Sequence, residues 1–279
     1  PLLDDARGFV VDHQQADGGF DVAGFPGFET PDAILALVEE AQRTTGGRWD
    51  PAVGIDAVQA VETAGGKDPF DAIDDLVDAD AGTPTQAIAA RSAKLIALVL
   101  APLGLDPYDY DPSNDTVAAV DLVDRMDSVR QPDGSYAMGA QFNGVLYAAL
   151  ALASSGIGPV PAGLVDQIRA AQRDDGSWDF SGTGGATGVD VDTTALALQA
   201  LHLAAARGHL RLLAALAPQR QLEAELERDH VAVHRVAARV HDLPGPVAAA
   251  HGLGLVQFRF GHAAHGRVGG QLGLLVHRG

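Results

Sequence analysis

Gln172-Arg173-Asp174-Asp175-Gly176-Ser177-Trp178 is the stretch on which the reading of the fold turns. An Asp-Gly pair signals a turn, because the carboxylate bonds to backbone two residues on and glycine enters the left-handed region without steric cost. Polar residues lead into the pair and a large aromatic follows it, so the loop is wet at one end and anchored at the other. Two further stretches have the same form: Gln14-Gln15-Ala16-Asp17-Gly18-Gly19-Phe20 and Arg130-Gln131-Pro132-Asp133-Gly134-Ser135-Tyr136. Aligned on Asp-Gly, the last two lie 42 residues apart and the first two 116 apart. The wider gap has room for degenerate units, with Gly46-Gly47-Arg48-Trp49 and Gly65-Gly66-Lys67-Asp68-Pro69-Phe70 read as their remnants. A period of about 40 residues with helices between loops is what stacked helix pairs produce.

Helix starts are legible around these loops. Thr30-Pro31, Asp50-Pro51, Asp68-Pro69, Thr83-Pro84 and Asp111-Pro112 each set a capping oxygen before a proline. Proline in the first turn gives up an N–H that has no helical partner there. The helices expected after such starts are of two kinds. Ala33–Val38, Lys94–Leu103, Gly144–Ala153 and Thr194–Ala205 are apolar nearly all round, as helices covered on every side must be. Ala52–Glu62, Phe70–Asp78, Thr116–Val129 and Ala162–Gln172 carry polar stripes of Asp, Gln and Arg. Their alternation predicts two concentric layers, an inner ring wrapped by an outer one. No stretch alternates convincingly as a strand, so the fold class is all-α.

Composition narrows the function classes. The chain has 279 residues, with 19 Lys+Arg against 37 Asp+Glu and a formal net charge of -18. Phosphate contacts need clustered Lys and Arg, so neither nucleic acid nor an anionic membrane is an expected partner. With no cysteine there is no disulfide framework, thiolate zinc site or cysteine nucleophile. The longest apolar run, Leu95–Leu105, contains Pro102 and falls short of the ~20 residues of a membrane helix, so no integral span is expected. Because the sequence opens on Pro1, a signal peptide is expected to have been removed or to lie outside it.

The averages hide a break near residue 205. Residues 1–205 hold 10 Lys+Arg and 32 Asp+Glu, whereas residues 206–279 hold 9 and 5. Nine of the ten histidines fall at His202 or later. Beyond Ala206 only eleven residue types occur, without the Ser, Thr and Asn that caps and turns use. Two readings follow for this histidine-, arginine-, alanine- and leucine-rich stretch. One is a basic low-complexity tail with helical stretches over Leu210–Ala217 and Gln221–Val240. The other is a GC-rich gene read out of frame after about residue 205, since all eleven types have codons rich in G and C. Either way the expected division is a helical repeat domain over 1–205 and a separate tail over 206–279.

The Gln-x-x-Asp-Gly-Ser-Trp loop at Gln172–Trp178, with its flanking helix pairs, resembles the prenyltransferase/squalene-oxidase repeat proteins. The resemblance covers about residues 1–205, with Phe20 and Tyr136 in place of Trp and Arg130 in place of Gln. It implies an α/α toroid of repeated helix hairpins, the fold of terpene cyclases, protein prenyltransferase β subunits and cobalamin carriers. This segment supplies fewer hairpins than a closed ring uses, so the toroid is expected to be incomplete at its C-terminal end. The resemblance further suggests an exported protein, and the preferred function is binding of an apolar or isoprenoid-like small ligand inside the inner ring; no cofactor and no metal are expected. Protein prenyltransferase activity is set aside, because that family's zinc site uses a Cys and a His. Here there is no Cys, and His13 is the only histidine before His202.

Asp190-Val191-Asp192-Thr193-Thr194-Ala195 is the sharpest candidate for chemistry. It is similar to the Asp-x-Asp-Asp-Thr-Ala acid motif of squalene–hopene-type cyclases. On that resemblance Asp192 matches the aspartate that protonates the polyene and Asp190 the first aspartate, while Thr193 stands where a further Asp is usual. Proton donation to an alkene asks for paired carboxyls of which one stays protonated, with neighbouring donors or charges stabilising the carboxylate it leaves. The same residues also fit a plain helix N-cap, with a carboxylate at free N–H groups and the positive dipole end. Cation intermediates want aromatic walls, and residues 1–205 hold thirteen Phe, Tyr and Trp, several of them in the repeat loops. Ligand binding without proven catalysis is therefore preferred. The alternative is a class II terpene-cyclase-like enzyme with Asp192 as its acid.

Other groupings have blander readings. Asp106–Asp115 gathers oxygen donors that suit calcium, but Asp-Pro pairs are turn and cap signals. Gly182–Gly188 follows no strand and ends in no lysine, so it reads as a connector rather than a phosphate loop. His230, His234 and His241 lack metal-ligand spacing, and Asp71, Asp74, Asp75 and Asp78 read as a solvated acidic face. Sequencing the codons around residue 205 tests the tail: an out-of-frame origin predicts altered third-position bias and another Gln-x-x-Asp-Gly-x-Trp in the shifted frame.

Overall fold

Four turns of one design punctuate the helices. In the computed structural model, which describes residues 2–21, 29–46, 48–111, 119–140, 142–183 and 190–216, each turn closes with the same two backbone bonds. The first residue donates to the carbonyl four positions on, and the glycine at the fourth position donates back to the first residue's carbonyl. The pairs are Gln15–Gly19 with Gly18–Gln15, Thr63–Lys67 with Gly66–Thr63, Gln131–Ser135 with Gly134–Gln131, and Arg173–Ser177 with Gly176–Arg173. The glycines have φ of 93°, 73°, 88° and 85°, which explains why glycine is required there. The Gly65–Phe70 remnant therefore forms a full copy of the turn. Gly46–Trp49 does not. There a 3₁₀ turn, Arg43–Thr45, runs into Gly46 at φ 68°, and Trp49 Nε1 donates to the Pro102 carbonyl at 2.7 Å.

Side chains explain the letters of the motif. Gln14 and Gln172 each donate from Nε2 to the carbonyl of the turn glycine, Gly18 at 2.9 Å and Gly176 at 2.8 Å. Asp17, Asp133 and Asp175 accept from the N–H two residues on, at 2.9, 2.9 and 3.0 Å. The aromatic after the turn is buried in all three loops that have one, Phe20, Tyr136 and Trp178. Both backbone groups of that aromatic are taken by one polar side chain: Thr30 for Phe20, Gln167 for Tyr136 and Thr194 for Trp178. In the fourth turn Asp68 stands in the aromatic position and caps the next helix with a reciprocal box to Asp71.

The helices are α1 (Leu2–Asp12), α2 (Thr30–Gln42), α3 (Pro51–Gln59), α4 (Pro69–Asp78), α5 (Thr85–Leu95), α6 (Ala101–Leu103), α7 (Leu122–Asp127), α8 (Phe142–Ser155), α9 (Ala162–Ala170) and α10 (Val191–Leu216). Among the described residues there is no strand, only isolated bridges between Tyr110 and Val120 and between Arg130 and Tyr136. The chain there is all-α.

Several boundaries differ from expectation. Asp50 and Asp68 cap as expected, but Thr30 lies inside α2 and clasps Phe20, and Thr83 turns back to the Ala79 carbonyl while Pro84 precedes α5. Asp111-Pro112 falls at the edge of the described residues. The expected helix over Thr116–Val129 shortens to α7, because Val120 pairs with Tyr110 and Asp121 caps at the Asp124 N–H. The helix expected at Lys94 starts nine residues earlier, at Thr85. It widens into a π segment, Ile96–Leu100, before α6. Pro102 lacks the N–H that would serve the carbonyl four residues back, which favours such a local widening. α10 crosses the composition break without interruption and runs to Leu216, and Arg207 Nε donates to the Ala153 carbonyl at 2.7 Å.

Packing sorts the helices into two layers. α2, the α5–π–α6 rod, α8 and α10 form a row in which each packs on the next; α3 and α4 back α2, α7 backs α5, and α9 backs α8 and α10. One continuous core of Ile34, Val38, Leu95, Leu100, Leu146, Leu164 and Trp178 runs through both layers. Close approach depends on small residues. A Cβ at Gly144 would sit 2.5 Å from Ala90 Cβ, and one at Gly54 would sit 2.9 Å from Val38. The Thr85–Leu103 rod is long and apolar enough for a membrane span by length and composition. It is instead enclosed by α2, α7 and α8 and carries buried Lys94, as a core helix does.

Two of the turns separate backbone strain from packing. At Gly176 an added Cβ meets nothing nearer than Gln172 at 4.0 Å, whereas at Gly134 it would lie 2.5 Å from Pro161 Cβ. Gly176→Ala should cost about 1–2 kcal/mol from the left-handed backbone alone. Gly134→Ala should cost clearly more, read as paired urea midpoints.

Candidate functional site

The acidic pair at the start of α10 divides its labour. Asp190 is the cap: its carboxylate accepts from the Thr193 N–H at 2.6 Å, and its carbonyl accepts from the Thr194 N–H at 3.0 Å. Asp192, which the sequence placed at the cap, is instead the second residue of α10 and is exposed. Thr193 is buried and donates to Asn143 Oδ1 of α8 at 3.2 Å. Thr194 is the Trp178 clasp. The Thr-Thr pair thus ties α10 to α8 on one side and to its own repeat loop on the other.

Asp192 has company that the sequence did not disclose. It acts electrostatically on Glu29, just before α2, and on Tyr147 of α8. Asp32 of α2 lies 2.5 Å from Lys94 of α5, and the Lys94 ammonium stands 5.6 Å from the centre of the Tyr147 ring. The four helices of the row each contribute to this cluster. Lys94 is only 9% exposed, so its charge is held by Asp32 and the ring face. Burial, then Asp32, raises the Glu29 carboxyl above its ordinary range, with Asp192 adding and Lys94 opposing. Burial, then the carboxylates of Asp32, Glu29 and Asp192, keeps the Tyr147 phenol protonated.

Helical register sets Asp32 on a different stripe of α2 from the one that meets α3. Val38 faces Gly54 of α3, while Asp32, Ala36 and Glu39 follow one another along a different stripe of α2. Glu39 is 7% exposed, and its Oε1 has no hydrogen-bond partner. Burial alone pushes its carboxyl up to about 7. Two signals in the sequence could have found these residues. A lysine inside the apolar run at Ala93–Leu105 demands a carboxylate partner, and Glu39 follows Asp32 at the two-turn spacing of seven.

The remaining candidates fare differently. Asp106 accepts from the Tyr108 N–H as a turn, and Tyr110 is buried against Asp74; Pro112–Asp115 lie outside the described residues. Asp71 binds Lys67 and the Asp68 N–H, and Asp74 meets Tyr110, so only Asp75 and Asp78 of the acidic face are simply exposed. Gly184–Gly188 and the histidines at 230, 234 and 241 lie outside the described residues. Among the described residues no group of three His, Asp or Glu is placed to hold a metal ion. Compared with family models, with curated proteins and with solved structures, the chain matches none.

Two outcomes follow from this geometry. Lys94→Met leaves Asp32 beside an apolar group; since Asp32 stays 26% exposed, the loss should be about 2 kcal/mol, below that of a fully buried pair. Adding Asp32→Leu should recover most of it. For Glu39 the unfolded chain releases its proton near the ordinary 4.5 and the folded chain near 7, so the folded state holds more protons between these values. Stability therefore falls as pH rises through that window. Glu39→Gln should gain on the wild type by on the order of 2–3 kcal/mol above pH 7 and by little below pH 4.5, measured by urea unfolding across pH.

Proposed function

We propose that the chain is a prenyltransferase/squalene-oxidase repeat protein whose helix row curls into an open α/α toroid and binds an apolar, isoprenoid-like small molecule on its inner side. The observation that carries this reading is the row itself: four helices packed side by side, three of which, α2, α8 and α10, follow a turn whose aromatic residue is clasped by one polar side chain. Val191 and Leu198, 70% and 56% exposed on α10, fit the edge of a ring that has not closed. The ligand is a neutral or cationic hydrocarbon rather than a prenyl diphosphate, because Glu29, Asp32 and Asp192 together outweigh Lys94 and repel phosphate.

Catalysis by Asp192 receives less support. An acid that protonates an alkene needs a dry setting that keeps its proton, and Asp192 is exposed in the first turn of α10. Farnesol should bind the purified chain saturably, with geranylgeranyl diphosphate binding at least roughly tenfold more weakly. Squalene and a C20 diphosphate should give no cyclised product with wild type or Asp192→Asn. A product that the wild type forms and Asp192→Asn does not would establish the cyclase alternative instead.

A further inference from the structure

α10 is covered along one side only. Thr193, Leu196, Ala197 and Ala200 are buried against the body of the protein, while Val191, Leu198, His202 and Ala205 are exposed, with Ala195 half-buried among them. These outer positions recur at alternating steps of four and three, the spacing of a seam between two helices. In the sequence the same steps continue through His209, Leu212 and Leu216. A further helix with a matching stripe stands next in the chain. α10 ends at Leu216, and Pro218 disfavours the helical region at Ala217. Residues 217–279 lie outside the described residues, but their sequence has a pattern. Leu222, Leu226, Val233, Val236, Val240 and Leu243 repeat by the same steps of four and three, with Asp229 the only polar member, and Pro244-Gly245-Pro246 closes the run. The stripes on either side are largely polar, with Glu225, Arg228 and Arg235 one position before and Glu227, His230 and His234 one position after.

We propose that residues 221–243 are a helix that turns back at residues 217–220 and docks antiparallel on the exposed stripe of α10. A connection of four residues is within the range of about two to five that joins antiparallel helices. Setting Leu222 opposite Leu216 fixes every later pair. Leu226 then meets Leu212, Val233 meets Ala205, Val236 meets His202, Val240 meets Leu198 and Leu243 meets Ala195. Asp229, the one polar member, falls opposite His209, so its charge has a basic partner at the one place the seam needs it. At 1.5 Å per residue the segment spans about 34 Å and stops at Pro244, level with the first turn of α10. So short a tether holds the segment near α10 at an effective concentration of order millimolar, which favours it over a second copy of the chain. A sequence read out of frame has no cause to keep this register with α10, so the docking also makes the segment genuine coding sequence. The inference is independent of the ligand-binding reading.

Because the chain has no cysteine, engineered cysteine pairs report the contact without background. In the full chain, Ala205→Cys with Val233→Cys should form an intramolecular disulfide under mild oxidation, read by mobility on a non-reducing gel. Ala205→Cys with Val240→Cys, displaced by about 10 Å along the helix, should form at least about tenfold less. Equal yields from the two pairs show a segment without fixed register, and a disulfide-linked dimer places a second copy on α10; either result overturns the proposal. Trypsin gives a separate reading. Arg228, Arg235 and Arg239 should be cut at least about tenfold more slowly in the wild type than in Leu198→Asp. Val236→Asp, which leaves α10 itself intact, should open the same three sites while residues 1–205 stay resistant. If nothing covers Leu198, neither substitution changes the cleavage rates, and that outcome overturns the docking.

Discussion

One hydrogen-bonding arrangement holds the architecture together: a single polar side chain grips both the N–H and the carbonyl of the aromatic residue that leaves each turn. Thr30 does this for Phe20, Gln167 for Tyr136 and Thr194 for Trp178. An aromatic ring can be driven into the core by its area alone, but its backbone then enters the core with it, and buried amide groups need partners. The clasp meets that need and at the same time fixes where the next helix begins. In two of three cases the clasping threonine belongs to the first turn of the helix that follows. Loop, core and helix start are thereby set by one contact.

From this follows the layered packing. Because each turn returns the chain at a fixed distance from the core, successive helices of the row meet at close range. Gly144 of α8 against Ala90 of α5 is such a contact within the row, and Gly54 of α3 against Val38 of α2 is its counterpart between the layers. The row is not uniformly apolar. Lys94 sits within the long apolar rod and is tolerated because it meets Asp32 and the Tyr147 ring. Cutting this contact would leave one buried charge alone, so α2, α5 and α8 are coupled by electrostatics as well as by packing.

The two acidic groups at α10 show how one sequence feature can be partitioned by structure. Asp190 and Asp192 look interchangeable as a cap or as a catalytic pair. A helix has room for only one cap, and Asp190 takes it because its carboxylate reaches the Thr193 N–H while its carbonyl receives the Thr194 N–H. Asp192 is left within the first turn of the helix, where its charge acts on Glu29 and Tyr147 across the row. Its significance is as part of a shared negative field.

Local chemistry made much of this protein legible in advance. The Asp-Gly turns, the Asp50 and Asp68 caps and the division into wholly apolar and striped helices are near-neighbour effects, and each was visible because the interacting residues lie within a few positions of one another. Of the two remnants read into the wide gap between Asp-Gly pairs, the one at Gly66 is a turn of this kind and the one at Gly46 is not. What local pattern could not carry was anything that depends on a distant partner. Thr30 read as a cap and Thr194 as the start of an apolar helix, but both act as clasps, across ten and sixteen residues. Thr116–Val129 read as a helix until Tyr110 claimed Val120. Lys94 read as part of an apolar run and Glu39 as the polar end of one. Only the tertiary structure brought Glu29, Asp32, Lys94, Tyr147 and Asp192 to one face and left Glu39 without a partner, because burial and charge pairing are decided by which helices pack together.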